Sequence, residues 1–270
     1  MIMRHAWLII AHNEFAILQQ LIDRLDSPEM DFFIHVDKKV SAQPSISVRQ
    51  GKLFVLKERI DVRWGSVSQI RCEMALFRTA REHGDHDFYH IISGTTLPLV
   101  DTSELKDFFS AYNGKNVLSG LCKDLPYQET LKMRRYNLFL KNYAKKGYKG
   151  KVSQFLWKSG IAVQRLLGIE RNRGKVFFKA SNWLSLSQEA VDYLLLHEAA
   201  ILRKYRYSFC GDEYFVPTEL MDSPLKEKLI NCEHYLKCTI ARSTSDVYHL
   251  SDFPELCKSG YLFARKFSSR

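Results

Sequence analysis

The carboxylate pair Asp85 and Asp87 has a spacing suited to metal chemistry, because two acids separated by one residue can hold a divalent cation. The pair lies at the start of the apolar stretch 87–94 (DFYHIISG), which predicts a strand. Ligand sites in sheets of parallel strands are expected at the opposite end. There, SGTTLPL (93–99) offers no carboxylate until Asp101. We therefore predict that Asp85 and Asp87 belong to a helix-to-strand turn and not to a metal site.

Other common phosphate and metal motifs do not occur. The sequence has no G-x-x-x-x-G-K-[ST] loop, and no G-x-G-x-x-G follows the first predicted strand. This argues against a P-loop NTPase and against a dinucleotide dehydrogenase. The six cysteines form no C-x-x-C pair, so reduced thiols are expected and a zinc site is not favoured.

Alternating strand and helix patterns must position whatever site exists. Strands are predicted at 6–13, 31–39, 52–56 and 87–94, and helices at 14–25, 68–83 and 102–112. Asn13 is the expected cap of the first helix, and Thr102 or Ser103 that of the third. This alternation predicts an α/β fold whose central sheet is mainly parallel and flanked by helices. The segments expected to face a ligand are therefore 11–13, 35–38, 63–68 and 93–97.

The second half of the chain is less regular. A basic, aromatic-rich stretch covers about 120–175 and contains one predicted helix at 152–168. Strand signals and a capped helix follow within 175–198, then a loop entering a short helix at 211–224, and a tail of mixed signals. No repeat, Pro/Gly linker or low-complexity segment divides the chain, so we expect one domain over 1–270.

The net positive charge of the chain indicates either an anionic partner or a solvated basic surface. Forty Lys and Arg against thirty Asp and Glu give a net charge of +10, and 46% of the residues are hydrophobic. Nucleic acid, an anionic membrane surface or a phosphorylated small substrate could each account for this charge. The run 141–151 could equally be a solvated basic surface. No apolar run approaches the roughly 20 residues of a membrane span, and the first residues lack a signal-peptide cleavage site, so a cytoplasmic location is expected.

Six motifs occur in a characteristic order. They are FIHVDKK (33–39), VRWGSVS (62–68), FYHIISGTTLPL (88–99), KASNWLSLSQEAVDYLL (179–195), GDEYF (211–215) and LFARKF (262–267). From about residue 5 to 267 the chain resembles the core-2/I-branching β-1,6-N-acetylglucosaminyltransferase family, which includes the peptide O-xylosyltransferases. The resemblance implies the GT-A fold, inversion at the anomeric carbon and no metal-binding Asp-x-Asp. It also implies a nucleotide-sugar-binding half at 1–120 and an acceptor-binding and catalytic half at 121–270.

The resemblance implies a catalytic base. An inverting transfer needs one group to deprotonate the acceptor hydroxyl, and the family's base is the Glu of a Pro-Asp-Glu-like motif. The matching residue is Glu213 in Gly211-Asp212-Glu213, where Gly replaces Pro. Asp212 is then expected beside the acceptor. Alternatively, both acids are N-terminal helix residues that complement the helix dipole.

The resemblance also implies that a basic pair replaces a metal ion at the donor diphosphate, since preorganised positive charge can stabilise the leaving group. Lys266 matches one member of the pair, with Arg265 as its alternative. Arg242 matches the other if one alignment gap is allowed. A basic tail without this role is the competing interpretation.

Further donor and acceptor residues follow from the same resemblance. The expected donor-binding residues are Ala11, Asp37, Arg63, Trp64 and Ser68, with Asp37 at the uridine and His12 beside the uracil pocket. His12 could also be a strand end without a role, and Trp64 a core anchor. Trp183 is expected to stack on a sugar, and Arg134 to face the acceptor from a variable region.

The resulting expectation is an inverting, metal-independent transferase that uses a UDP-sugar and no cofactor. It would move GlcNAc from UDP-GlcNAc to a glycan or lipid-linked saccharide, in bacterial surface polysaccharide synthesis, with peripheral contact to anionic lipid. The alternatives are a UDP-xylose-dependent xylosyltransferase and an inactive sugar-binding relative. A nucleic-acid-binding protein is not favoured, because no helix-turn-helix, zinc or RNA-binding signature occurs.

Overall fold

The computed structural model describes residues 3–238, 240–241, 244–245 and 247–269. The strands are β1 (His5–Ala11), β2 (Met30–Val36), β3 (Lys52–Val55), β4 (Phe88–Ser93), β5 (Leu97–Pro98), β6 (Asn116–Leu118), β7 (Leu184–Ser187), β8 (Leu229–Asn231), β9 (Leu236–Lys237), β10 (Ile240–Ala241), β11 (Thr244–Ser245), β12 (Tyr248–His249), β13 (Phe263–Ala264) and β14 (Phe267–Ser268). The helices are α1 (Phe15–Leu25), α2 (Ser68–Glu82), α3 (Thr102–Ala111), α4 (Tyr127–Arg134), α5 (Tyr148–Leu166), α6 (Gln188–Leu196), α7 (Glu198–Tyr205), α8 (Phe215–Met221) and α9 (Phe253–Cys257).

A seven-stranded sheet in the order β3-β2-β1-β4-β7-β6-β8 forms the centre of the fold. Within it, β7 runs antiparallel to β4 and β6, whereas the other neighbouring pairs are parallel. The mainly parallel α/β sheet flanked by helices is confirmed, and it is consistent with a GT-A-like fold. Ala11 pairs with Val36 and Ile10 with Ser93, so β1, β2 and β4 end at the same edge of the sheet.

Both faces of the sheet are covered. In β1, Trp7 and Ile9 belong to a core shared with α1 and α3, whereas Leu8 and Ile10 belong to a second core shared with α2, α6, α7 and α8. This alternation is the period of two that a strand imposes on its side chains. Because helices cover both faces, β1, β2 and β4 are buried throughout.

Two predicted helix caps are wrong. The N-cap of α1 is Glu14, in a left-handed conformation with φ 51°, and not Asn13. Its carboxylate instead accepts hydrogen bonds from Ser269 N and Oγ, at 2.9 and 2.7 Å, and so holds the end of the chain. The N-cap of α3 is Asp101, which accepts from Glu104 N at 2.8 Å, and not Thr102 or Ser103. A carboxylate competes for this position because it also complements the helix dipole.

The predicted turn at Asp85 and Asp87 is confirmed. Both lie between the end of α2 and the start of β4. Asp85 forms an ion pair with Arg81 at 2.7 Å, and Asp87 accepts a hydrogen bond from Arg4 N at 2.8 Å. The pair therefore stabilises the amino end of the sheet, opposite to the edge where β1, β2 and β4 end.

The core of α1 provides a test of this packing. Leu21 is fully buried against the sheet, whereas Leu196 at the end of α6 is 81% exposed. We expect Leu21→Ala to lower the free energy of unfolding by about 2–5 kcal/mol, because it removes buried methyl groups and leaves a cavity. The matched control Leu196→Ala should change it by less than about 0.5 kcal/mol. Urea denaturation of the three proteins measures both values, and equal losses would contradict the assigned core.

Candidate active site

The C-terminal segment, residues 262–267, crosses the edge of the sheet at which β4 ends. Phe267 N donates to Thr95 O at 2.9 Å, and Leu99 N donates to Leu262 O at 2.8 Å. Beneath this crossing, the end of β4 packs tightly against β1, since a Cβ at Gly94 would lie 3.1 Å from Ala11 Cβ. The crossing brings Arg265 and Lys266 to the edge at which a parallel sheet binds its ligands.

Arg265 is the best-anchored cation of this crossing. Its guanidinium carbon lies 4.6 Å from the centroid of the Trp183 ring, and its Nε donates to Ser93 Oγ at 3.3 Å. Burial lowers the pKa of Arg265, although a guanidinium stays protonated in proteins. The Trp183 side chain is buried, and the face of its ring stabilises the Arg265 guanidinium through a cation–π contact. The arrangement fixes a positive charge at the carboxyl end of β4.

Three further titratable groups, Lys266, His12 and Asp37, lie in the same crossing or follow the ends of β1 and β2. Lys266 is exposed, yet partial desolvation lowers its pKa and the charge of Arg265 lowers it further. His12, which follows β1, has a pKa lowered by desolvation and raised in part by Asp37. Asp37, which follows β2, is buried and its carboxylate accepts from Lys39 N and Nζ at 2.8 and 2.7 Å. The ends of β1, β2 and β4 thus carry mixed charge around an open edge.

The loop 63–68 approaches the same edge. Arg63 pairs with Asp61 at 2.6 Å, and its backbone N donates to Ser68 Oγ at 2.8 Å. Trp64 is 56% exposed, so it is not a core anchor, and it makes an edge contact with the ring of Phe209 at 5.2 Å. Gly65 has φ +74°, and a Cβ there would lie 2.4 Å from Phe209, so the loop needs glycine at this position.

Glu213 ends a short 3-10 turn, Gly211–Glu213, that precedes α8. Its Oε2 lies 3.2 Å from Lys179 Nζ, which also contacts Glu129 Oε2 at 2.7 Å. Desolvation would raise the pKa of Glu129, but hydrogen bonds from Lys132, Lys179 and Tyr214 outweigh it and lower that pKa to about 2. Lys179 is therefore shared between a strongly held carboxylate and the half-exposed carboxylate of Glu213.

One short stretch of chain connects the charged groups around Arg265 with those around Glu213. Residues 179–183 carry Lys179 at one end, paired with Glu213, and Trp183 at the other, beneath Arg265. Ala180 N, in between, donates to Glu213 O at 2.9 Å. The carboxylate and the anchored cation are consequently held by a single segment at the entrance to β7.

Asp212 is partly exposed, but one of its carboxylate oxygens is not. Its Oδ1 is buried and has no hydrogen-bond partner among the described residues. Burial raises the pKa of Asp212 to about 7, and the charge of Glu213 raises it too. Glu73 of α2 is also buried, and its pKa is raised well above its usual value by burial and by Asp212. The charge of Glu213 therefore disfavours the ionisation of Asp212, and the charge of Asp212 disfavours that of Glu73.

A comparison with known protein families shows which family the chain belongs to. Residues 5–249 match the family described as Branch: Core-2/I-Branching enzyme. The chain belongs to the core-2/I-branching enzyme family. No curated protein matched it closely enough to be reported as a relative. Because the members of this family are glycosyltransferases, the chain is a glycosyltransferase by family. Catalysis by the core-2 family is metal-independent. Among the described residues, no cluster of three or more His, Cys, Asp or Glu side chains could hold a metal ion.

Two expected site residues are not tested by the structure. Arg134 at the end of α4 pairs with Glu170 at 3.0 Å and donates to Lys175 O at 3.2 Å, which attaches the segment 170–175 to α4. Its place at an acceptor remains a prediction. Arg242 lies outside the described residues.

Sequence reasoning for this core-2/I-branching enzyme missed Lys179, Glu129 and Glu73. Lys179 stood in the motif KASNW without an assigned role. Glu129 lies 50 residues from Lys179 along the chain, so no local pattern joins them. A charged residue on the buried face of an amphipathic helix was the available signal for Glu73, because buried carboxyls are rare unless paired.

The Asp212 carboxyl makes stability depend on pH. Its pKa of about 7 in the folded chain exceeds the usual 3.8, so the folded chain retains this proton while the unfolded chain loses it. Stability then falls as pH rises from about 4 to 7, and this group adds no further change above 7. We expect Asp212→Asn to gain stability relative to the parent as pH rises, reaching on the order of 1 kcal/mol or more at pH 8.

Urea unfolding at pH 5 and pH 8 measures this difference. The exposed control Asp124→Asn should change stability by less than about 0.5 kcal/mol at either pH. A loss of stability in Asp212→Asn that is equal at the two pH values would show that the buried carboxyl is ionised and well accommodated.

Proposed function

We propose that this chain is an inverting, metal-independent glycosyltransferase that moves GlcNAc from UDP-GlcNAc to a hydroxyl of a glycan. The observation that carries the proposal is that one short segment, residues 179–183, contacts both an anchored cation, Arg265, through Trp183 and a carboxylate, Glu213, through Lys179. A transfer from a sugar diphosphate needs these two groups: positive charge where the leaving group develops negative charge, and a base for the nucleophile.

The donor would lie along the carboxyl edge of β1, β2 and β4. Arg265 and Lys266, with Arg242, would hold the diphosphate, because charge-assisted hydrogen bonds to phosphate oxygens are strong. Asp37 and Ala11 would receive the uridine, with Arg63, Trp64 and Ser68 on the loop beside it. Asp37 forms an ion pair with Lys39, so uridine would bind Asp37 beside Lys39 or displace Lys39 from it. No divalent metal takes part in this proposal.

Glu213 is proposed as the base. The acceptor hydroxyl gives its proton to Glu213. The acceptor oxygen then forms a bond to the anomeric carbon of the donor sugar, while the bond from that carbon to the β-phosphate oxygen breaks. UDP leaves with the electron pair of the broken bond, beside Arg265 and Lys266. Lys179 holds the Glu213 carboxylate from one side at 3.2 Å and so orients it. Trp183, Asp212 and Arg134 are the proposed acceptor-side residues.

The donor sugar and the acceptor class can be identified by assay. UDP-xylose is the alternative donor within the family, and a lipid-linked saccharide used in surface polysaccharide synthesis is the proposed acceptor class. Release of UDP from a panel of UDP-sugars, with and without sugar acceptors, separates these donors. UDP binding without release from any donor would instead indicate an inactive sugar-binding relative.

Glu213→Gln tests the base directly. The amide keeps the shape of the side chain but cannot accept the proton, so kcat should fall by about 10²–10⁴. The Kd for UDP from calorimetry should stay within about twofold, because the change leaves the proposed phosphate cations intact. Glu189→Gln, on the exposed start of α6, is the control and should keep the parent rate. Unchanged turnover in Glu213→Gln would remove Glu213 from the mechanism.

A further inference from the structure

The positive charge of the chain is concentrated in one segment. Residues 130–169 contain ten Lys and Arg and no Asp or Glu. Subtracting these ten from the forty basic residues of the chain leaves thirty basic residues against thirty acidic ones. The net charge of +10 is therefore a property of this segment, which contains α5 and the loop before it, and not of the surface in general.

Helix α5 turns an apolar stripe to solvent. Tyr148, Phe155 and Leu166 are 82%, 69% and 85% exposed. They are seven and eleven residues apart, which places them on one side of a helix of 3.6 residues per turn. The opposite side contributes Gly150 and Gln164 to the interior. An exposed apolar stripe on a helix of 19 residues marks an interaction surface.

A row of cations runs beside the stripe. Lys151, Lys158 and Arg165 follow each other at intervals of seven residues, so they line one edge of the stripe. Lys149 lies on the other edge. Within the described part of the chain, none of these four cations forms an ion pair, and all four are exposed.

We propose that the α5 surface, defined as residues 141–166, docks onto a membrane face rich in anionic phospholipid. The helix would lie in the plane of the interface, with its apolar stripe among the upper acyl chains and its cations at the lipid phosphates. None of the helices in the described residues is long and apolar enough to cross a bilayer, so the contact would be peripheral.

The charge pattern selects lipid over two other occupants. A second copy of this chain would present the same cations to the α5 surface, and like charges would repel across such a symmetric contact. Nucleic acid would require cations at the centre of the surface, where phosphates are read, but the centre here is Tyr148, Phe155 and Leu166. Anionic lipid offers both an apolar layer and a layer of negative charge.

The α5 surface adjoins the candidate active site. A groove of about 360 Å³ lies between α4 and α5, with Trp157 and Ile161 on one wall and Glu129 and Lys132 on the other. Glu129 and Lys132 belong to the charge network that reaches Glu213 through Lys179. Docking would therefore hold the groove close to the lipid surface. The docking itself does not rest on the proposed reaction.

Vesicle co-sedimentation of the full chain tests the proposal without donor or acceptor. We expect binding to phosphatidylcholine vesicles containing about 30% phosphatidylglycerol, little binding to pure phosphatidylcholine, and release at high salt. Reversal of Lys151, Lys158 and Arg165 to Glu should weaken the binding by about 100-fold or more. The matched control reverses Lys52, Lys57 and Lys226 to Glu, which changes the net charge equally and should weaken it far less.

A second variant tests the apolar stripe. Phe155→Ser with Leu166→Ser should weaken vesicle binding at least tenfold while leaving UDP binding unchanged. Absence of parent binding to anionic vesicles, or equal losses in the control and in the α5 variant, would overturn the proposal. A dimer of the parent that becomes a monomer in the serine variant, without lipid binding, would identify the surface as a self-association interface. A loss of turnover alone would bear only on the proposed reaction.

Discussion

The position of Arg265 is the constraint on which the rest of the site depends. Placing a guanidinium away from bulk water is unfavourable unless other groups compensate it. Here the face of Trp183 and the hydroxyl of Ser93 do so, and the backbone bond from Phe267 to Thr95 fixes the segment that carries it. These contacts join the end of β4, the entrance to β7 and the C-terminal segment, although up to 172 residues separate them along the chain.

The charges around this anchor divide into two clusters with different roles in the fold. At the edge of β1, β2 and β4, the cations Arg265 and Lys266 and the carboxylate of Asp37 give mixed charge. Around the turn that carries Glu213, carboxyl groups predominate: burial raises the pKa of Asp212 and that of Glu73, and the charge of Asp212 raises the pKa of Glu73 further. Residues 179–183 keep the clusters adjacent but distinct. A charge gradient of this kind suits a reaction in which a proton moves to one side and a diphosphate leaves on the other.

The sequence predicted the framework more fully than the site. Continuous apolar runs located β1, β2 and β4 because both faces of this sheet are buried, and helical spacing located α1, α2 and α3. The cap of α1 was missed because Glu14 adopts a left-handed conformation to meet the end of the chain, a long-range contact. The motif order indicated Arg265, Lys266 and Glu213 as candidates, and their roles stay predictions. It could not locate the Lys179 pairs or the stacking of Arg265 on Trp183, since such contacts depend on how distant segments pack.

We propose that basic side chains, and not a metal ion, hold the donor diphosphate. Calorimetry of UDP binding in EDTA, repeated with added manganese, tests it most directly. We expect that UDP binds in EDTA, that manganese does not strengthen this binding, and that Lys266→Ala weakens it about tenfold or more through the loss of a charged hydrogen bond. Lys258→Ala, on the same tail, should bind as the parent does. UDP binding that appears only with manganese, or that survives Lys266→Ala unchanged, would contradict the account.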